Sequence, residues 1–373
     1  MMTDQDGRGL LSRLVELTEP RRMTFSAVSI SDLGEMLGRQ IFSILIVAFL
    51  PIAAAAAEVD PAGINAADYA ELKLDGEVHP ELVKAQILLD RANMSPGEID
   101  GRYSARLGEG ISAFAEAYGL PADTGWGRSF WLSLTSTVTG PVLVDYVLTK
   151  EDLKGPFVQL PAKIEDMQSF KALGFANARE ALAEKFHMSE QLLAALNPGA
   201  SFSDAGEKIL VPNVVVPAMS GDRKAAAARV DVDKDRQTLK VYSAKNDLIA
   251  FFPASVGSDD KPSPSGTLKV TLIESDPSYH YNPKYQFKEV GKQRPFDLGP
   301  GPNNPLGTIW IALSKPSYGI HGTPEPSQVG LAATHGCVRL TNWDVQRLAG
   351  LLTKGVPVNF KQRSEADTAF VAY

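Results

Sequence analysis

Cysteine is the scarcest reactive residue in this chain: 373 residues hold one, Cys337, beside five histidines. A single cysteine excludes an intramolecular disulfide framework. With no C-x-x-C or H-E-x-x-H pattern and no second thiolate to close a site, it also argues against zinc. Positive charge is in short supply too. The formal net charge is −7, and no basic stripe of the kind that phosphate recognition needs is present, so nucleic acid is disfavoured as a partner. The apolar stretch Ile41 to Leu50 stops at Pro51, short of the roughly 20 residues that a membrane span prefers. Ser327 lies in no G-x-S-x-G elbow, which weakens a serine nucleophile.

What is present fits a soluble, multidomain protein. The 44% hydrophobic and 22% charged content suits neither a disordered chain nor a polytopic membrane protein, and at about 150 residues per domain the length allows two or three. Arg39, the apolar stretch and the small residues Ala53 to Ala57 before Glu58 have the anatomy of a secretory signal. That reading fits best with Met36 as the true start, making 1–57 an N-terminal extension and signal. The rival is an uncleaved membrane anchor. Export makes an unpaired cysteine unusual, because exported proteins normally use cysteines in pairs. Burial as a small apolar thiol is the plain alternative, but His335, Gly336 and Arg339 are the wrong neighbours for an apolar pocket.

Taken in order, 58–78 has no clear periodicity and reads as a linker. In 79–140, Leu82, Ala85, Ile87 and Leu89 fall near helical spacing, as do Ile111, Ala113, Phe114 and Ala117, which predicts three short helices around a small core. The PGEIDG turn followed by ISAFAEAYGL resembles the helical peptidoglycan-binding module. In 141–216 the order is strand, long connection, two helices, strand. AREALAEKFHMSEQLLAALN, then Asn197-Pro198 and the closing KILVPN, resemble a LysM-like module of α+β type, with an insertion around Phe157 to Phe175 in place of a short first loop. His187 reads as a helix-end residue rather than a ligand. A small, polar, Pro-containing linker covers 217–228, and 362–373 is a tail.

Between them, 229–361 is strand-rich: RVDVD, TLKVY, Leu248 to Val256 and SPSGTLKVTLI are separated by polar turns with no long helix among them, which predicts a mainly-β, sandwich-like domain. The aromatic and Pro-rich run Asp276 to Gly307 is long for a structureless loop and reads as a lid or groove wall, with His280 facing solvent or substrate.

Chemistry concentrates in His321 to Leu340, HGTPEPSQVGLAATHGCVRL. His321 and Cys337 are sixteen positions apart, so their meeting requires two adjacent strands joined by a loop. His335 lies two before Cys337, and in an extended segment such residues share a face. Both histidines are therefore candidates to reach the sulfur and generate the thiolate that attacks a carbonyl. Gly336 lets substrate approach the backbone, whose N–H groups are oxyanion candidates. Thr341-x-x-Asp344 reads as a capping box, which makes Asp344 structural.

HGT, Gly330 and THGCVR resemble the signature of the L,D-transpeptidase family with its YkuD-type catalytic domain, and NNPLGTIWIAL and SPSGTLKV resemble flanking segments of it. The resemblance implies a periplasmic enzyme that needs no cofactor or metal and acts as a monomer on peptidoglycan stem peptides. Cys337 would attack the third residue of a tetrapeptide stem, release D-Ala and pass the acyl group to an amine. That acceptor would be another stem, in a 3→3 crosslink, or a wall-attached outer-membrane protein or lipoprotein. It also implies His321 as the base, His335 as a second active-site group, and Thr334, Gly336, Arg339 and Gly322 as oxyanion or substrate-binding positions. The alternatives are an L,D-carboxypeptidase or hydrolase on the same fold, and a non-catalytic wall-binding protein.

Overall fold

The computed structural model describes residues 60–137, 140–214, 227–257, 262–285, 291, 294–331 and 336–361. The export signal, Thr334, His335 and the tail lie outside them, as does the linker except for Ala227 and Ala228.

Of the stretch 58–78, read as a linker, the part from residue 60 onward is packed into the fold. It carries helix α1 (Pro61–Ala66), whose N-cap Asp60 accepts from Ala62 and Gly63 N–H, and Ile64 is fully buried. One apolar residue in a single turn gives no periodicity to read, yet it suffices to dock the turn. Asn65 then fastens it, its Oδ1 accepting from Val142 and Leu143 N–H at 2.9 and 3.0 Å. Helices α2 (Pro80–Arg91), α3 (Ala105–Ala117) and α4 (Arg128–Ser136) follow. Eight residues of α2, from Leu82 to Asp90, are buried, including Gln86 and Asp90, so α2 is a central helix enclosed on several sides rather than an amphipathic surface one.

Strand β1 (Leu143–Val147), helices α5 (Ala178–Lys185) and α6 (Glu190–Leu196) and strand β2 (Lys208–Pro212) come next, with β1 and β2 paired antiparallel. Asn177 and Ser189 cap the two helices by accepting N–H from Glu180 and Leu192. Asn197 ends α6 and bonds Leu193 and Leu210 carbonyls at 2.9 and 2.8 Å, tying the helix end to β2.

The remaining strands are β3 (Arg229–Asp233), β4 (Thr238–Tyr242), β5 (Leu248–Pro253), β6 (Ser255–Val256), β7 (Gly266–Ser275), β8 (Tyr279–Tyr281), β9 (Phe296–Leu298), β10 (Ile309–Leu313), β11 (Gly319–His321), β12 (Val338–Arg339) and β13 (Pro357–Lys361), with helix α7 (Asn342–Leu351) before the last. Nine form one sheet in the order β5-β4-β3-β13-β7-β10-β11-β12-β6. Its two outermost strands, β5 and β6, are separated in sequence only by Ala254, so the sheet nearly closes on itself. Strand β7 makes the corner: 266–269 pair with β13 and 270–275 with β10, the strand-switching device by which a sheet becomes two layers. Val230, Val241, Phe252, Ile311, Val338, Leu348 and Val358 fill the space enclosed with α7. The catalytic region is thus mainly β and sandwich-like to barrel-like.

The upstream helices share a core with this sheet. Tyr242, Leu248 and Phe251 belong to the same buried cluster as Leu82, Phe114 and Leu193. The backbone of Asn93 to Ser95 pairs along β5, Phe251 N–H donating to Asn93 and Ser95 N–H to Phe251, both at 2.9 Å. An edge that would otherwise template aggregation is covered. Asp276 to Gly307 includes the β8–β9 hairpin rather than being structureless. Tyr281, Phe296 and Leu298 pack against Leu173, Ile164 and Phe170 of the 157–175 insertion as a third small core. His280 is exposed and its Nδ1 meets Asp297 at 2.7 Å.

Candidate active site

Strands β11 and β12 run parallel, with Ile320 opposite Val338 and His321 opposite Arg339. Extending that register by one residue puts Cys337 beside Gly319, two before His321. Residues i and i+2 of a strand share a face, so the sixteen-residue separation closes into one patch. A Cβ on Gly319 would meet the Trp310 ring at 2.5 Å, and that ring tilts over His321 with centroids 5.8 Å apart. Trp310, Gly319, His321, Cys337 and Arg339 therefore form one face.

His321 is 5% exposed. Its Nδ1 lies 2.7 Å from the Gly322 carbonyl; a carbonyl can only accept, so the proton sits on Nδ1 and Nε2 carries the lone pair. Burial, reinforced by the Arg339 charge, lowers the imidazole pKa to about 3, against the Gly322 hydrogen bond. The ring is neutral at physiological pH. Burial likewise raises the Cys337 thiol, partly offset by an N–H from Gly319 and by Arg339, and the sulfur lies 3.8 Å from the Ser317 carbonyl. The resting pair is thiol and neutral imidazole, with Arg339 electrostatically coupled to both.

Two expectations change. Gly336 has φ +103°, a left-handed conformation that interrupts the strand, so alternation cannot be carried back from Cys337 to His335. The Gly336 carbonyl is held by buried Ser263 Oγ at 2.9 Å. Gly322, read as oxyanion or substrate-binding, has its N–H donated to Ile309 at 3.3 Å and its carbonyl engaged by His321. It orients the histidine and has no N–H to offer a substrate. The carboxyl of Asp344 turns to Ser95 Oγ at 2.8 Å, while Thr341 accepts the Asp344 N–H as N-cap. His187 follows α5 but is buried against Asp90, 2.9 Å away.

Residues passed over in the sequence also contribute. Trp310 was findable: in TIWIAL, Ile309, Ile311 and Leu313 are buried, so alternation sends Trp310 to the opposite, site-bearing face. Ser263 and Arg106 carry no comparable signal, since they meet the site only through the tertiary fold. Arg106 of α3 donates Nη1 to the Ser327 and Val329 carbonyls at 2.8 and 2.9 Å, within the loop joining His321 to Cys337. Among the described residues, no group of three His, Cys, Asp or Glu is placed to hold a metal.

A buried histidine on β11 and a cysteine just before β12 thus lie on one face of a nearly closed β-sheet. Comparison with known proteins specifies the class. The family model described as the YkuD L,D-transpeptidase catalytic domain matches residues 227–359. The Bacillus licheniformis protein named for the L,D-transpeptidase YkuD is 30% identical over 182 residues, covering 48% of this chain and 91% of that one. The Escherichia coli L,D-transpeptidase relative YbiS is 26% identical over 185 residues, covering 48% and 59%. The chain belongs to the YkuD L,D-transpeptidase family. Among solved structures, the Enterococcus faecium catalytic domain aligns at 18% identity and TM-score 0.29 over 37% of this chain and 99% of that one. The match to a longer Enterococcus faecium L,D-transpeptidase chain spans half of it (50%) at TM-score 0.28.

Proposed function

We propose that this chain is a cell-wall L,D-transpeptidase acting on peptidoglycan tetrapeptide stems. The observation that carries the reading is the β11–β12 pairing, which sets His321, with its Nδ1 proton committed to Gly322, on the same face as Cys337. Neutral His321 takes the thiol proton at Nε2 as the sulfur attacks the carbonyl of the third stem residue. The C–S bond forms, the C–N bond to D-Ala breaks, and the imidazolium returns its proton to the departing amine. An acceptor amine then attacks the thioester and loses a proton to His321, a new amide forms, and the thiol is restored. Backbone N–H groups of Gly336 and Cys337 are assigned to the oxyanion, His335 and Thr334 to substrate orientation, and Arg339 to a substrate carboxylate. Water in place of the amine makes the same cycle an L,D-carboxypeptidase.

The helical module and the β1–α5–α6–β2 module are assigned to wall contact, on their likeness to peptidoglycan-binding and LysM-like sequences. The site of action is the periplasm, on the export-signal pattern. The acceptor is a second stem or a wall-attached protein. Purified protein and a Cys337→Ala variant, incubated with disaccharide tetrapeptides and analysed by mass spectrometry, test this directly. Dimers with a 3→3 link support transpeptidation, tripeptide alone supports carboxypeptidation, and equal activity of the variant overturns both. Carbapenem-type lactams are expected to acylate Cys337, read as an increase in intact mass.

A further inference from the structure

Helix α5 touches the start of helix α7. Near its end Glu184 meets Asn342, the first residue of α7. Asn342 Nδ2 donates to both carboxyl oxygens, at 3.2 and 3.0 Å, and to the Pro302 carbonyl at 3.1 Å. Asn342 Oδ1 accepts Thr308 N–H at 3.1 Å and lies so close to the Cα atoms of Gly307 and Gly322 that a Cβ on either would collide with it. The amide is 2% exposed. Its orientation is settled by chemistry, because backbone N–H must meet the oxygen and carbonyls must meet the nitrogen. Gly322 is the residue whose carbonyl accepts the His321 Nδ1 proton at 2.7 Å.

We propose that Glu184 is a positioning residue for the His321 base: by holding the Asn342 carboxamide it fixes the Gly322 peptide, and with it the tautomer and direction of the imidazole. The inference rests on the reading of His321 as the base. It makes the upstream module a support for the reacting pair, since the carboxyl on α5 accepts from Asn342 at the outer end of a chain of contacts that reaches His321 through Gly322. Such outer contacts govern rate through geometry, and a displacement of about 1 Å at the reacting atoms costs up to 100-fold.

Glu184 also lines a cavity of about 350 Å³ with Glu98, Glu180, Glu190 and Glu325. Glu180 stands one turn earlier on α5, Glu98 on the turn after α2, Glu190 at the start of α6 and Glu325 on the loop after β11. Burial raises the Glu184 carboxyl to about 8, against the Asn342 hydrogen bond and with repulsion from Glu180 and Glu98. At neutral pH Glu184 is therefore largely the neutral acid. A glutamine imitates that form, and differs from glutamate only once the carboxyl ionises.

The test is the second-order rate of Cys337 alkylation by iodoacetamide, which needs no substrate, measured from pH 5 to 9.5 on the full chain. Glu184→Ala is expected to slow it roughly tenfold. Glu184→Gln is expected to stay within about twofold of wild type below pH 7 and to diverge above pH 8. Alkylation of Glu184→Ala at the wild-type rate, equal slowing of both variants, or a Glu184→Gln profile that superimposes on wild type at every pH overturns the proposal. Where the alanine variant does not fold, the glutamine profile decides alone. His321→Ala separates the two readings: if its cysteine reacts as fast as wild type, the base assignment itself fails, whereas a slow His321→Ala beside wild-type-like Glu184 variants overturns only the positioning role.

Discussion

At the residue scale the site is a neutral pair held back from ionising. Removing His321 and Cys337 from water disfavours imidazolium and thiolate alike, and Arg339 pushes both groups toward proton loss. These effects oppose one another at the sulfur and reinforce one another at the imidazole. Arg339→Met should therefore shift the midpoint of Cys337 alkylation to higher pH, as the guanidinium that favours the thiolate is lost. Because the imidazole pKa lies near 3, neither protein should show a limb in the alkylation profile near 6.5, the ordinary value for histidine. Such a limb in wild type would mean that His321 titrates as an exposed imidazole and is not the buried base described above.

Among the elements, the loop joining β11 to β12 depends on helix α3. Arg106 holds the Ser327 and Val329 carbonyls, its side-chain stem approaches Gly330, and Ser255 Oγ accepts the Gly330 N–H at 2.9 Å. Hydrogen bonds from a charged donor contribute about 1.5–3 kcal/mol each, and methionine keeps the stem while removing the head. Arg106→Met is expected to raise amide hydrogen exchange at Gly330 and Leu331 at least tenfold, leaving exchange in β3 and β4 unchanged. Unaltered exchange at the loop would show that it is held by its own turn. Much at this scale was legible in the sequence: the cap at Thr341, the Asn-Pro helix end and the β-strand alternation are local signals. Asn177 also caps locally, but the α1 turn, the β8–β9 hairpin and its packing against 157–175 are not local. Each is stabilised by contacts with residues far along the chain, which leave no periodicity behind.

Over the whole molecule, the upstream modules and the catalytic sheet share buried structure. Asp90 of α2 sits between His187 and Arg347, with Arg347 Nη2 3.0 Å away; burial alone would raise its carboxyl, but the contacts with His187 and the Arg347 guanidinium hold it well below the usual range. His187 stacks on Trp343 with ring centroids 5.3 Å apart. Breaking a buried pair from one side costs about 3–5 kcal/mol, so Arg347→Met should lower the thermal midpoint of the entire chain. Calorimetry should give one cooperative transition for the upstream helices and the catalytic sheet together, and two well-separated transitions would contradict a shared core.

Protonation also sets the pH range of that stability. Glu98, Glu184 and Asp344 have pKa values raised mainly by burial, to about 7, 8 and 7, so their contribution is full below the ordinary carboxylate range and is lost as pH rises through those values. His321 has the opposite sign, its neutral burial costing stability as pH falls from 6.5 toward 3. Between pH 6.5 and about 8 the raised acids therefore dominate these terms, and the thermal midpoint should fall; a rise over that interval would contradict their burial. None of this was visible in the sequence. Cys337, His321 and Arg339 were legible because they fall within one short stretch, whereas the acids that line the cavity beside Glu184 come from four separate segments.

In the proposed reaction Cys337 carries the acyl group. Intact-mass spectrometry of the full chain, quenched in acid within seconds of mixing with a disaccharide tetrapeptide, tests it most directly. The expected result is a covalent adduct equal to the donor less D-Ala, mapped by peptide analysis to Cys337 and absent from Cys337→Ala, with free D-Ala in the supernatant. D-Ala release without an adduct, an adduct at another residue, or turnover by the alanine variant would contradict it.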